Sequence, residues 1–312
     1  MVDSKQEWKA WLYLTPAIIL LLIFTVYPIF NTVRIAFLEG YNALSVLIGE
    51  EFKVGFGNFL DVLLADDFFE CLKNTMFLTF LTVIPSTMLA LLIAVALNSI
   101  KPLQKFLQTI FFLPYVTNSI AIGMVFAAMF NIIGLRPDGS TADSWGIINN
   151  VIMFFGGEPI NWINAQSSYA ANLAVMTIYI IWNALPFKIL ILLGGLQSIN
   201  KQYYEAARVD GTPRWRVLTR ITVPLLSPML AYVIITGFIG GFKEYSSIVG
   251  IFGEKMGPPH TPESLQTIVG YIYKVMEPGY YDLASAAALI LFGIIFVVTM
   301  INLQVSKKKV HY

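Results

Sequence analysis

The chain has 312 residues, of which 57% are hydrophobic and only 12% charged, about half the charged share of a soluble globular domain, so a lipid-embedded protein is the first reading. Its formal net charge of +1 provides no global field that would draw nucleic acid or an acidic ligand. Cys71 is the only cysteine, His260 and His311 are the only histidines, and no Gly-Lys dipeptide occurs, which leaves nothing from which to build a disulfide framework, a metal site or a phosphate-cradling loop.

A helix needs about 20 mostly apolar residues to cross some 30 Å of hydrocarbon. Six segments qualify, so the chain is predicted to be all-α, an integral membrane protein with six transmembrane helices. The first, 11–33, follows Lys5 and Lys9 as a secretory signal would, but its apolar stretch is too long and lacks a small-residue cleavage site, so it is expected to be retained. An outer segment, 34–71, leads to the second span, 72–97, and a short connection carrying Lys101 and Lys105 leads to the third, 107–131. There Tyr115 and Asn118, just after Pro114, are weaker polar candidates for the interior. In the next outer segment, 132–169, the run Trp145–Phe155 is too short to cross and is interrupted by Asn149 and Asn150, which marks an interfacial or loop helix.

The fourth span, 170–194, carries Asn183 and Phe187 one turn apart, with Pro186 freeing a backbone carbonyl, features that suit a cavity wall. Lys188 is read as snorkelling to the inner interface. In the fifth span, 229–251, Gly237, Gly240, Gly241 and Glu244 lie at helical spacing and share one face, with the carboxylate at its outer end. Close helix packing by small residues, and a simple Lys243–Glu244 pair, are the plainer alternatives. After the outer segment 252–283, the sixth span, 284–304, runs into Lys307–Lys309.

Basic residues gather on the cytoplasmic side of short loops. With the N-terminus inside, the inner segments hold thirteen of the twenty basic residues but only Asp3, Glu7, Glu205 and Asp210 of the nineteen acids, so both termini are expected to be cytoplasmic. The inner loop 195–228 has the densest basic cluster. From Tyr203 it reads YYEAARVDGTPRWRVLTRITVPLLSP: a helix-favouring stretch, Gly211 for a sharp turn, Pro213 to open a second helix, and Pro224 and Pro228 to end it. On composition alone this is an amphipathic segment lying on the inner leaflet, with Trp215, Leu218 and Ile221 on one face and Arg214, Arg216 and Arg220 off it.

Spacing points further. Glu205-Ala206-Ala207, three residues, Gly211, nine residues, then Ile221, Val223 and Pro224 resemble the motif of permease subunits of type I ABC importers, with Val223 in place of the usual leucine. The opening WLYLTPAIILLLIFTVYPIF, the segment GLQSINKQYYEAARVDG and the outer-loop phrase ESLQTIVGYIYKV resemble the carbohydrate-uptake branch, on the side of the first of its two paired permeases. The resemblance implies a single transmembrane permease domain over 1–312 in the cell membrane, with the loop docking in a cleft of a cytoplasmic ATPase, a helix-in-groove contact. Glu205, Ala206, Ala207, Asp210, Gly211, Ile221 and Pro224 are the implied ATPase-coupling residues. The implied partners are a second related permease, two ATPase copies, an extracytoplasmic solute-binding protein and a sugar; ATP and Mg would bind the ATPase, and no cofactor this chain. Aligned through the loop, Asn183, Ala184 and Phe187, with Gly237, Gly240, Gly241 and Glu244, fall where maltose-type permeases contact sugar, although most residue types differ.

A permease for another polar solute, such as glycerol phosphate, is the runner-up within the family. An ion-coupled secondary transporter would need coupling carboxylates near the midplane, which the spans nearly lack, and a membrane-embedded enzyme would need a nucleophile with a base or a metal set.

Overall fold

A computed structural model describes residues 7–100, 104–135 and 141–309; Asp3, Lys5, Lys101 and His311 lie outside the described residues. Helices dominate, and the strands among the described residues form two short antiparallel ribbons, Leu38–Glu39 with Lys53–Val54 and Ile132–Leu135 with Thr141–Trp145. The all-α expectation is therefore corrected to mostly helical. Four stretches are long and apolar enough to cross a membrane: Trp8–Ala36, Asp66–Ser99, Tyr169–Ser198 and Tyr281–Lys307. Two helix pairs qualify only when each is taken together, Phe106–Val116 with Ser119–Phe130 and Arg214–Leu225 with Ser227–Phe242, and they are bent by 98° and 72°.

The chain forms two compact units. One comprises the residues up to Phe69 together with Tyr271–Phe292, the other Glu70–Gly270 together with the segment from Gly293 on. The first unit opens with α1 (Glu7–Leu21), a π-helical turn at Leu22–Val26 and α2 (Tyr27–Ala36). Pro28 has no N–H and its ring crowds the carbonyl four residues back, so the register widens just before it, with the Tyr27 N–H reaching the Leu22 carbonyl. Two short helices follow, α3 (Ala43–Ile48) and α4 (Gly57–Leu64). Polar side chains tie this unit together: buried Asn58 donates to the carbonyls of Ala36 and Leu38, both at 3.0 Å, and Asp282 accepts the Gly40 N–H at 3.0 Å.

The second unit holds the body of α5 (Asp66–Ser99) and then α6 (Gln104–Val116), α7 (Ser119–Phe130), α8 (Ile147–Phe154) and α9 (Tyr169–Ser198). The inner loop contributes α10 (Lys201–Val209), α11 (Arg214–Val217), a π-helical turn at Leu218–Thr222 and α12 (Val223–Leu225). It is followed by α13 (Ser227–Phe242) and α14 (Ser246–Phe252), while α15 (Ile268–Met276) from Tyr271 on and α16 (Tyr281–Lys309) up to Phe292 belong to the first unit. Apolar side chains pack into two separate layers. One is built on Leu78, Phe130, Val175, Met176, Tyr179 and Ile248, the other on Ala90, Ala94, Leu192, Leu193, Leu226 and Val233. Both α5 and α9 contribute to each layer.

The third and fifth predicted spans, 107–131 and 229–251, are not single helices. Asn118 breaks the third: its side-chain oxygen accepts the N–H groups of Ile120 at 2.9 Å and Ala121 at 3.3 Å and so starts α7 afresh. In the fifth, α13 ends at Phe242 and α14 begins at Ser246. The two breaks bring α7 and α14 backbone to backbone. A β-carbon on Gly123 would stand 2.8 Å from the Gly250 Cα, and one on Gly250 3.0 Å from the Gly123 Cα, so both positions require glycine.

Candidate functional site

Between the two packed layers, α5, α9 and α13 leave a cavity of about 300 Å³, at the small end of the range for ligand pockets. All seven pathway candidates read from the sequence line it: Asn183, Ala184, Phe187, Gly237, Gly240, Gly241 and Glu244. Tyr115 lines it as well, whereas Asn118 is the helix cap already described. The Tyr115 and Phe187 rings stack with centroids 5.8 Å apart and planes at 19°, and Asn183 donates to the Ser119 hydroxyl at 3.3 Å. The site thus offers an aromatic face with amide, hydroxyl and carboxylate groups around it.

Glu244 reaches the cavity from the link after α13 rather than from the helix face expected of it. Its Oε1 accepts the N–H groups of Tyr245 at 3.2 Å and Ser247 at 3.1 Å, and its carbonyl accepts the Thr267 hydroxyl at 2.7 Å. The carboxylate therefore caps the start of α14. Among the described residues no ion pair joins it to Lys243.

The snorkelling reading of Lys188 is overturned. Its side chain is buried at 4% exposure, lines the cavity, and its ammonium donates to the Val83 carbonyl at 3.2 Å, Ser86 Oγ at 2.7 Å and Thr87 Oγ1 at 3.0 Å. The reason is length: α9 continues ten residues beyond it to Ser198, roughly 15 Å of helix, more than a lysine stem can climb. Thr82, Ser86 and Thr236 also line the cavity without having been singled out. A signal for two of them was present, because Thr75, Thr79, Thr82 and Ser86 recur every three or four residues and form a buried hydroxyl stripe on α5.

The inner loop builds a helix–turn–helix. Asn200 caps α10 by accepting the Gln202 N–H at 3.0 Å. At its other end the Thr212 N–H reaches the Ala207 carbonyl at 2.9 Å and the Gly211 N–H the Arg208 carbonyl at 3.1 Å, with Gly211 at φ +64°. This double closure needs a left-handed residue, which glycine supplies at low cost. Pro224 does not end the second piece; the chain stays helical through Leu225, the π-helical turn ahead of Pro224 absorbing its missing N–H as the one before Pro28 does.

The seven loop candidates divide by orientation. Glu205, Ala206, Asp210 and Gly211 are exposed, Ile221 and Pro224 are half-buried, and Ala207 is buried against its own chain. Tyr203, Val209 and Trp215 stand exposed beside them at 54%, 88% and 71%, together with Arg214, Arg216 and Arg220.

Comparison with known proteins bears on both regions. The family described as binding-protein-dependent transport system inner membrane component matches residues 86–311. The chain is 29% identical over 302 residues to an arabinooligosaccharides transport system permease protein of Bacillus subtilis, covering 95% of this chain and 88% of the relative. It is 28% identical over 310 residues to a trehalose/maltose transport system permease protein of Thermococcus litoralis, covering 98% and 97%. In structure it matches a chain of a bacterial ABC transporter involved in import of the acidic polysaccharide alginate, with a TM-score of 0.77, 26% identity and coverage of 98% and 97%. A second crystal structure of the alginate transporter, in complex with the alginate pentasaccharide-bound periplasmic protein, matches with a TM-score of 0.78.

Proposed function

The chain belongs to the binding-protein-dependent transport system inner membrane components, and from that premise we propose that it forms one side of the pathway through which an ATP-driven importer moves a sugar or oligosaccharide. It is a multi-pass membrane subunit that transports rather than catalyses. A solute-binding protein delivers the cargo outside, a second related permease completes the pathway, and two ATPase subunits below bind ATP and Mg²⁺. Counting each bent pair as one crossing gives six crossings with both termini cytoplasmic, in a single permease domain over 1–312. The cavity supports a sugar as cargo: aromatic rings cover the apolar face of a pyranose, while Asn183 and the carboxylate of Glu244 meet its hydroxyls.

The observation that carries the coupling role is the exposed face of the inner loop. Val209 and Trp215 are open to solvent on a segment otherwise rich in charge, beside Glu205 and Ala206, while Ala207 and Tyr204 hold α10 to its own bundle, with the Tyr204 hydroxyl 3.3 Å from the Thr222 hydroxyl. A helix held to its own bundle on one face, with exposed apolar side chains set among charged ones on the other, fits a groove in a partner. Closure of the ATPase pair would push this loop and shift α9 and α13, to which it connects, opening the cavity to one side of the membrane and then the other.

Co-purification in mild detergent tests the reading. The wild-type chain should retain an ATPase subunit identified by mass, and Glu205→Lys combined with Gly211→Pro should lose it while the permease stays folded. If the wild-type chain purifies alone, under conditions that keep a known importer assembled, the coupling role is wrong.

A further inference from the structure

The relatives named above carry neutral sugars and an acidic one, so they leave the charge of the cargo open. Lys188 bears on it. An ionised side chain buried at bilayer depth is costly and persists where it faces a cavity or a partner. Its three N–H groups are all taken, by one backbone carbonyl and two hydroxyls of α5. Those hydroxyls donate their own hydrogens to α5 carbonyls, Thr87 to Val83 at 2.7 Å and Ser86 to Thr82, so toward Lys188 they act purely as acceptors. The ammonium is thereby held in place without being neutralised: among the described residues no carboxylate lies within 4.0 Å of it.

Gly237 leaves this cation open to the cavity. A β-carbon there would stand 3.3 Å from Nζ and 3.7 Å from Cε, so any side chain at 237 would be pressed against the ammonium. The other charge lining the cavity, Glu244, comes from the link after α13, with one oxygen already engaged by the N–H groups of Tyr245 and Ser247. The cavity is therefore lined by a cation beside Gly237, a carboxylate from the link after α13 that forms no ion pair with it, and the stacked rings of Tyr115 and Phe187. A neutral sugar would fill the cavity beside Lys188 without giving it a counter-charge, which is unfavourable in a low-dielectric site. A sugar with one acid group satisfies both groups, its anion at Lys188 and its hydroxyls at Glu244.

Resting on the sugar-import reading, we propose that the cavity selects acidic sugars, such as those built of uronic acids, and that Lys188, facing the cavity across Gly237, is the residue that makes the selection. The test uses the complete importer in proteoliposomes, with its second permease, ATPase and binding protein, and labelled di- and trisaccharides carrying a single uronic acid residue against the neutral hexose counterparts of equal length. Wild type should take up an acidic probe in preference to its neutral match. Lys188→Met should lower the acid-to-neutral uptake ratio at least about tenfold, the effect of losing one close charge–charge attraction in a site shielded from water. Gly237→Ala, which keeps the charge but covers it, should lower the ratio in the same direction and serves as the second probe should Lys188→Met not fold. The binding protein is common to every arm, so a changed ratio belongs to the permease. Preferred uptake of neutral sugars, or a ratio unmoved by both variants, overturns the proposal while leaving sugar import standing. If the assembled importer hydrolyses ATP in response to its binding protein and takes up neither kind of sugar, the sugar reading falls and this proposal with it.

Discussion

A buried ammonium ion is stable only while oxygens surround it, and at Lys188 all three come from one turn of α5. Removing the oxygens should therefore harm the fold more than removing the charge. Ser86→Ala with Thr87→Val leaves the cation with a single carbonyl and is expected to cost about 3 kcal/mol or more, the sum of two hydrogen bonds to a charged group, whereas Lys188→Met, of similar shape and no charge, should be far milder. Combining all three substitutions should recover much of the loss, a coupling that thermal unfolding in detergent reads as a double-mutant cycle; additive effects would mean that the hydroxyls do not hold the charge. Five of the seven cavity-lining candidates, Asn183, Gly237, Gly240, Gly241 and Glu244, were legible because glycine, amide and carboxylate inside an apolar run already break the pattern of lipid-facing helix, whereas Phe187 followed from its place one turn after Asn183 and Ala184 only from the family resemblance. Lys188 was not, since its fate depends on how far α9 continues, and the sequence between it and Ser198 is apolar enough to read as either membrane or interface. The serines and threonines of α5 went unremarked because each hydroxyl also bonds its own helix backbone, which makes such residues ordinary in a membrane helix.

At the scale of elements, the two breaks in the predicted spans matter as much as the helices. The sequence contained the signals: Pro114 followed by Asn118-Ser119, and the run Gly240-Gly241 through Ser246-Ser247, whose glycines and small polar residues favour ends over interiors. Hydropathy averaging across a span-length window hides them, because the flanking residues on both sides are apolar. Their consequence is the contact of α7 with α14 at Gly123 and Gly250, where a methyl group would overlap backbone rather than a movable side chain. Gly123→Val is expected to destabilise the second unit by about 3 kcal/mol, at the upper end for overpacking, and to lower the thermal midpoint of the purified chain by several degrees. Gly194→Ala is the control, since nothing lies within 4 Å of a β-carbon there and alanine favours helix. Equal midpoints for the two variants would mean that the helices can separate without cost.

For the molecule as a whole, the bent pairs raise a question of membrane topology that charge counting alone answers only by assumption. If both pairs cross, the chain crosses six times; if both are re-entrant, only the four straight stretches cross. The termini share a side in either case, so they do not discriminate. The segment after α8 does. With the N-terminus inside, six crossings put Glu158 outside and Arg216 inside, and four reverse both, which would carry the basic cluster of the inner loop to the outer face against the usual bias. The chain suits a thiol-labelling test, because Cys71, its only cysteine, is 2% exposed, while Glu158 and Arg216 are exposed positions for a new one. In intact cells whose outer surface is accessible, a membrane-impermeant maleimide should label Glu158→Cys and should reach Arg216→Cys only after the membrane is opened. Labelling of Arg216→Cys from outside, with Glu158→Cys protected, would overturn six crossings with cytoplasmic termini and would remove the inner loop from any contact with a cytoplasmic ATPase.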